Sequence, residues 1–214
     1  MRGVLFDLDG TLVDSSTDIA MSANAVREGL DLPPLDVAEV VAMVGDGLRA
    51  LLQRLLPEGS DMARAQAIFA AHYDQQCTQH SDYFPGLVAV LRQLQQQQFR
   101  LGVVSNKPLR WCQAILNHLS HKHQLPADLW QIVVGGDGVK KPAPDPILAA
   151  LARLQLPPAQ VCMVGDHAND ILAGRAAGCR SVYVQWGYAE LPHGVVADAS
   201  CADAVGLAAE LGIP

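Results

Sequence analysis

The sequence contains no long hydrophobic run and no paired cysteine motif, and each absence excludes a class of protein. Half of its residues are hydrophobic, yet no apolar stretch approaches the roughly 18 residues that a membrane-spanning helix needs. The five cysteines are odd in number and show no C-x-x-C spacing, so we expect free thiols in a reducing cytoplasm. The first residues lead directly into an apolar run, which leaves no room for a signal peptide.

Positive charge is also scarce. Fifteen Lys and Arg residues against 22 Asp and Glu residues give a formal net charge of −7. This balance disfavours a nucleic acid or an anionic membrane as a partner. It permits an anionic small molecule, provided that local cations hold it. At 214 residues the chain can form one large or two small domains with a proper core.

Short apolar runs alternate with helical patterns through most of the chain. The predicted strands are residues 4–6, 101–104, 132–134, 161–164 and 182–184. The predicted helices are residues 87–94, 109–119, 146–154, 171–177 and 202–211. This alternation predicts an α/β fold, with a Rossmann-like parallel sheet as its core and helices on both faces.

The first two predicted strands lie too far apart for a simple crossover. The stretch from Asp7 to Ser105 is about three times as long as the roughly 30 residues of a strand–helix–strand unit. The excess is helical in pattern and predicts an inserted all-helical cap domain at residues 15–81. Residues 1–14 and 82–214 would form the core domain. Inserted there, the cap would cover the edge of the sheet as a lid.

Polar residues follow four of the predicted strands, at the edge where parallel sheets bind ligands. They are Asp7 and Asp9 after the first strand, Ser105 and Asn106 after the second, Lys141 beyond the third, and Asp166 and Asp170 after the fourth. Each motif alone has an ordinary explanation, such as a turn or a helix cap. Their order and their common placement at strand ends favour a single site.

This combination of side chains suits phosphoryl transfer from a phosphate monoester. Mg²⁺ prefers a few carboxylates together with water and substrate oxygen, so Asp7 and Asp166 could hold it. Lys141 would add positive charge for the phosphate, and a serine hydroxyl would add a hydrogen bond. One carboxylate of the first pair can attack phosphorus, while the other exchanges protons with the leaving group and water.

The same motifs resemble those of the haloacid dehalogenase superfamily of phosphatases. Four motifs occur in that family's order over essentially the whole chain. They are DLDGT at residues 7–11, Ser105-Asn106, Lys141 in KKPAPDP, and GDHAND at residues 165–170. The resemblance implies the following roles: Asp7 as nucleophile, Asp9 as general acid and base, Ser105, Asn106 and Lys141 as phosphate ligands, and Asp7, Asp9 (through its carbonyl), Asp166 and Asp170 as metal ligands. Whether Asp170 binds the metal directly or through water stays open.

Within the superfamily, residues 9–30 and 44–56 are most similar to phosphoglycolate phosphatases. This implies Mg²⁺-dependent hydrolysis of 2-phosphoglycolate to glycolate and phosphate through an aspartyl-phosphate intermediate. The substrate stays open, because KKPAPDP departs from the expected spacing at Ala143 and Asp145. The alternatives are a sugar phosphatase, a β-phosphoglucomutase-like enzyme and a phosphonate hydrolase, although the last would want a lysine in the cap. A phosphoacceptor signalling domain, the non-enzyme alternative, would be shorter and would lack a cap.

The predicted cap contains a glycine-rich loop, Gly45-Asp46-Gly47, followed by Arg49 at a helix start. Its backbone N–H groups and the arginine could hold the carboxylate of a small acid; an ordinary turn with a solvated arginine is the alternative. The histidines at 118, 121 and 123 fit an exposed helix end better than a metal cluster. The sequence leaves their role open, together with the choice between monomer and homodimer.

Overall fold

The computed structural model describes residues 1–213, which alternate between strands and helices. In chain order the strands are β1 (Gly3–Phe6), β2 (Val13–Asp14), β3 (Asp82–Tyr83), β4 (Arg100–Val104), β5 (Ile132–Val134), β6 (Val161–Gly165), β7 (Arg180–Val184) and β8 (Ala199–Cys201). The helices are α1 (Ser16–Glu28), α2 (Val37–Val41), α3 (Leu48–Leu55), α4 (Met62–Gln76), α5 (Leu87–Gln96), α6 (Leu109–Lys122), α7 (Asp145–Leu154), α8 (Ala168–Ala176) and α9 (Ala204–Leu211).

Within the described residues, the main sheet has six parallel strands in the order β5-β4-β1-β6-β7-β8. Phe6, the last residue of β1, lies opposite Val103 and Val164, so the central strands end at nearly the same level. This confirms the predicted α/β fold and its five strands. The prediction missed β8, because ASC is short, partly exposed and carries no apolar run.

Helices cover both faces of the sheet, and the two sides of β1 show how. Val4 and Phe6 point into one apolar cluster, which includes residues of α5, α6 and α9. Leu5 points into the opposite cluster, which includes residues of α7 and α8. A strand buried on both sides reads as a continuous apolar run, as this one does. None of the helices between residues 1 and 213 is long and apolar enough to cross a membrane.

The residues between β2 and β3 are helical and form an insertion of α1 to α4. The two strands pair antiparallel, with Val13 opposite Tyr83 and Asp14 opposite Asp82, and so bring the two ends of the insertion together. Asp18 reinforces this junction, because its buried carboxylate accepts the backbone N–H of Ser81 at 2.8 Å. The predicted cap boundaries, residues 15 and 81, lie beside this ribbon.

Candidate active site

Asp7 and Asp9 follow β1 at the edge of the sheet that faces the helical insertion. Asp7 is buried directly beyond the strand, and its backbone N–H donates to the carbonyl of Val164 at 2.9 Å. Gly10 then turns the chain with a φ of +80° and passes so close to Asp166 that a Cβ would collide with that carboxyl group. The small residue at this turn therefore allows two acidic loops to meet.

Three buried carboxylates gather at this edge. Oxygens of Asp7, Asp166 and Asp170 all lie within 4.8 Å of one another. Asp166 is held by the hydroxyl of Thr11 at 2.7 Å and the N–H of Tyr188 at 2.8 Å. Asp170 stands in the first turn of α8, where it accepts a backbone hydrogen bond from the helix N-cap. The structure thus brings together three of the four acids that the motifs singled out, and Asp9 lies outside this cluster.

The three carboxylates carry more negative charge than the single neighbouring ammonium, that of Lys141, can neutralise. Burial, reinforced by the charges of Asp170 and Asp7, raises the pKa of Asp166 to about 7. Burial also raises the pKa of Asp7, although Lys141 acts in the opposite direction. An oxygen-only set of acids suits a hard divalent cation such as Mg²⁺. A bound cation would remove the mutual repulsion, so the residues present fit the predicted metal.

Lys141 lies against the same acids. Its ammonium is 3.0 Å from an oxygen of Asp7 and 2.6 Å from one of Asp170, and it also donates to the carbonyl of Val104. Burial alone would favour the neutral amine, but the charges of Asp170 and Asp7 raise the pKa of Lys141 above its usual value. The ammonium therefore keeps its charge beside Asp7.

Ser105 and Asn106 follow β4, and Asn106 connects three segments. Its amide group donates to the carbonyls of Gly45 and Lys141, both at 3.0 Å, and its oxygen accepts the N–H of Lys141 at 2.9 Å. Both amide hydrogens are therefore engaged within the protein. Ser105 is buried at the end of the strand, and its hydroxyl oxygen accepts the backbone N–H of Lys107 at 3.3 Å.

The glycine-rich cap loop lies against the core loops. Gly47 has a φ of +87°, and a Cβ there would collide with the carbonyl of Asn106. Asp46 pairs with Arg54 and accepts a hydrogen bond from Asn169 at 2.7 Å. These partners lower the pKa of Asp46, although its partial burial acts against them. Arg49 is exposed on α3 and does not line the cavity between cap and core.

Lys107 is a site residue that the sequence motifs did not indicate. It is buried, and its ammonium lies 2.8 and 2.9 Å from the two carboxylate oxygens of Asp9. The ring of Tyr73, from α4, covers the ammonium at 4.6 Å from the ring centroid. Asp9 also accepts the hydroxyl of Ser15 at 2.6 Å. The available signal was a lysine directly after the strand-end pair Ser105-Asn106.

A cavity of about 50 Å³ separates the insertion from the strand ends. Its lining includes the predicted catalytic residues from the core and apolar or aromatic residues from α3, α4 and α6: Asp7, Asp9, Leu48, Leu51, Tyr73 and Trp111. Helices of the insertion therefore lie opposite the acids across this cavity. The histidines lie elsewhere: His118 and His121 are exposed, and His123 contacts Asp82 at 2.5 Å.

Residues 4–184 match the family model of the haloacid dehalogenase-like hydrolases, and the chain belongs to that family. This confirms the family predicted from the four motifs, together with the prediction that the protein is an enzyme of the phosphatase type.

Its relatives include phosphoglycolate phosphatases. The chain is 37% identical over 199 residues to the phosphoglycolate phosphatase of Chromobacterium violaceum, with 89% of this chain and 87% of that protein covered. It is 33% identical over 213 residues to the enzyme of Escherichia coli strain K12, with 88% and 82% covered. The crystal structure of a predicted phosphoglycolate phosphatase from Haemophilus somnus 129PT superposes with a TM-score of 0.88 at 29% identity, covering 99% of this chain and 98% of that one.

Proposed function

We propose that the protein is a Mg²⁺-dependent phosphatase that hydrolyses 2-phosphoglycolate through an aspartyl-phosphate intermediate. The observation that carries this proposal is the buried cluster of Asp7, Asp166 and Asp170. It lies beside a charged lysine at one end of a small covered cavity. The phosphoglycolate phosphatases among its relatives support the choice of substrate.

Two carboxylates at positions i and i+2 divide the chemistry between them. The Asp7 carboxylate attacks phosphorus, and the bond from phosphorus to the ester oxygen breaks. Asp9 gives a proton to the departing alkoxide, and then takes one from the water that attacks the phosphoenzyme and releases Asp7. The two side chains have different surroundings: Asp7 contacts Lys141 within the acid cluster, while Asp9 is held by Lys107 and Ser15.

The metal would be held by Asp7, Asp166 and Asp170, with the backbone carbonyl of Asp9 as a further ligand. Mg²⁺ bound there would supply positive charge to the phosphoryl oxygens. Thr11 and the N–H of Tyr188 orient Asp166 through the hydrogen bonds described above. Such outer contacts fix the direction of a ligand and so support metal affinity.

In this proposal Ser105 and Lys141 bind the phosphate. The Lys141 ammonium contacts Asp7, so a phosphoryl group approaching that carboxylate also approaches the positive charge. Asn106 contributes by forming hydrogen bonds with both the backbone N–H and the backbone carbonyl of Lys141. We assign Asn106 a positioning role, because its amide hydrogens are already engaged.

The size of the cavity supports a short organic acid as the leaving group. A single water needs about 10–15 Å³ by the measure that gives this cavity about 50 Å³. The enclosed space is therefore equivalent to about three to five waters, which favours a compact substrate over a large one. Hexose phosphates, the larger substrates considered above, would require a greater displacement of the cap from the core than 2-phosphoglycolate would.

The test is a panel of phosphate esters assayed with Mg²⁺ and with EDTA. We expect turnover with Mg²⁺, loss of turnover with EDTA, recovery when Mg²⁺ is restored, and the highest kcat/KM for 2-phosphoglycolate. Asp7→Asn, prepared identically, controls for contaminating phosphatases. Full activity after exhaustive chelation would refute the metal assignment, and an equal or higher kcat/KM for hexose phosphates would replace the substrate.

A further inference from the structure

We propose that Lys107 determines substrate specificity by binding a carboxylate attached to the same carbon as the ester oxygen. This inference rests on the proposed function and deepens it: the substrate class becomes phosphate esters of short 2-hydroxy acids. The cation comes from the core, directly after β4, and not from the cap loop that the sequence indicated.

The position of Lys107 follows from the position of Asp9. For Asp9 to protonate the leaving group, the ester oxygen must lie within hydrogen-bonding distance of its carboxyl group. The Lys107 ammonium contacts both oxygens of that carboxyl group. A group on the carbon next to the ester oxygen therefore lies about one hydrogen-bond length from Lys107. In a glycolate ester that group is the carboxylate.

The ammonium retains capacity for such a ligand. A lysine ammonium has three N–H donors, and the two oxygens of Asp9 account for two of them. The aromatic face of Tyr73 covers the ammonium and shields it from water without providing a counter-charge. A charge-assisted hydrogen bond in such a covered place is stronger than an ordinary one.

Other cations near the cavity are engaged or lie outside its lining: Lys140, whose ammonium lies against Gly47, is not among the lining residues. Among the described residues that line the cavity, Lys107 is the sole cation. The cap contains no lysine. Arg27 donates to the carbonyls of Pro33 and Leu55, and Arg54 donates to Met43 and pairs with Asp46. An anionic leaving group inside the cavity thus has Lys107 as its cationic partner.

The first experiment compares 2-phosphoglycolate with ethyl phosphate, which has nearly the same length and lacks the carboxylate. Lys107→Met removes the ammonium and keeps most of the side-chain volume. Because Lys107 also holds Asp9, this variant will lose activity toward both esters, so the informative quantity is the ratio of the two kcat/KM values. We expect this ratio to fall by about 10–150-fold, the factor for one lost charged hydrogen bond.

Arg110→Gln is the matched control for the loss of one positive charge. Arg110 is exposed on α6, three residues beyond Lys107, and lies 3.5 Å from Asp74. We expect Arg110→Gln to leave the ratio within about twofold of wild type. A similar drop in Arg110→Gln and Lys107→Met would mean that general charge attracts the substrate, and would overturn the proposal.

The second experiment measures binding without turnover. The probes are 3-phosphonopropionate, in which a methylene replaces the ester oxygen, and propylphosphonate, which has the same length without the carboxylate. Calorimetric titration of the Mg²⁺-loaded wild type should show tighter binding of the carboxylated probe, and Lys107→Met should lose that preference. Circular dichroism and thermal melting establish that the variant is folded.

The outcomes separate this inference from the proposed function. If wild type treats the carboxylated and neutral partners alike, or if Lys107→Met weakens both equally, Lys107 only supports Asp9 and the inference is wrong, while the phosphatase assignment stands. If wild type hydrolyses no ester in the presence of Mg²⁺ but binds the two probes with the expected preference, the proposed function fails and the carboxylate site stands.

Discussion

The side-chain amide of Asn106 donates to the carbonyl of Gly45 at 3.0 Å, and so joins the loop after β4 to the glycine-rich loop of the cap. The same side chain forms hydrogen bonds with both the backbone N–H and the backbone carbonyl of Lys141. One residue thereby connects the cap loop to the segment that places the Lys141 ammonium beside Asp7.

Replacing Asn106 with Ala should therefore impair both stability and catalysis. The substitution leaves the carbonyl and N–H of Lys141 without this partner and the carbonyl of Gly45 with a longer bond of 3.4 Å from Asn169. This should cost about 1–3 kcal/mol in the free energy of unfolding and lower kcat/KM. Asn24→Ala is the matched control, because Asn24 makes a comparable pair of bonds to Leu35 within the cap. Urea unfolding and steady-state kinetics should show two destabilised variants, of which only Asn106→Ala has impaired kcat/KM. Equal kinetic losses in both would refute a specific role for Asn106.

The two acids of the first motif should fail in different ways. Asp7→Asn should abolish turnover without unfolding the protein, because no nucleophile remains. Asp9→Asn should reduce kcat by about 10²–10⁴-fold, the usual range for a lost general acid and base. The reduction in kcat/KM, which reports formation of the phosphoenzyme, should be smallest for nitrophenyl phosphate, whose leaving group needs little protonation. Rapid-quench assays should then show a burst of nitrophenol, since hydrolysis of the phosphoenzyme still lacks its base. Equal losses of kcat/KM for nitrophenyl and alkyl esters would exclude Asp9 as the general acid.

The acid cluster makes the metal-free protein sensitive to pH. The pKa of Asp166 is raised to about 7, whereas an unfolded aspartate titrates near pH 3.9. Between these values the folded chain holds a proton that the unfolded chain has lost. The free energy of unfolding in EDTA should therefore decrease as pH rises through this window, by up to about 1.4 kcal/mol per pH unit, and level off above it.

Thermal or urea melts between pH 5 and pH 8 measure this dependence. Saturating Mg²⁺ should flatten it, because the cation replaces the proton, and Mg²⁺ should stabilise more at pH 8 than at pH 5. Asp166→Asn should be less sensitive to pH in EDTA and should lose most of the stabilisation by Mg²⁺. An unchanged pH profile in Asp166→Asn would assign the titration to another group.

Gly10→Ala should raise the Mg²⁺ concentration needed for half-maximal activity. The new methyl group would collide with the carboxyl group of Asp166, and it would also sit at a φ of +80°. Gly59→Ala isolates the backbone cost, because Gly59 has a φ of +83° with nothing within 4 Å of a Cβ. Both variants should lose about 1 kcal/mol of stability from the unfavourable φ. Only Gly10→Ala should shift the Mg²⁺ titration; a shift in both would attribute the effect to strain.

The sequence by itself determined the order of the elements and the identity of the acid cluster. Apolar runs such as VLF before Asp7 specify buried parallel strands, and the ends of parallel strands share one edge of the sheet. For this reason Asp7 and Asp166 could be assigned to one site before any coordinates. Elements without a strong apolar pattern, such as β8 and the ribbon of β2 and β3, were not predicted.

Only the tertiary structure decided which side chains meet across the cavity. Lys107 and Asp9 are 98 positions apart and belong to different loops, and Tyr73 reaches the same ammonium from the cap. Local patterns report whether a segment is buried and how it is folded, because those properties depend on neighbours in the chain. The partner of a buried charge depends on how whole elements pack, and that information is distributed over the entire fold.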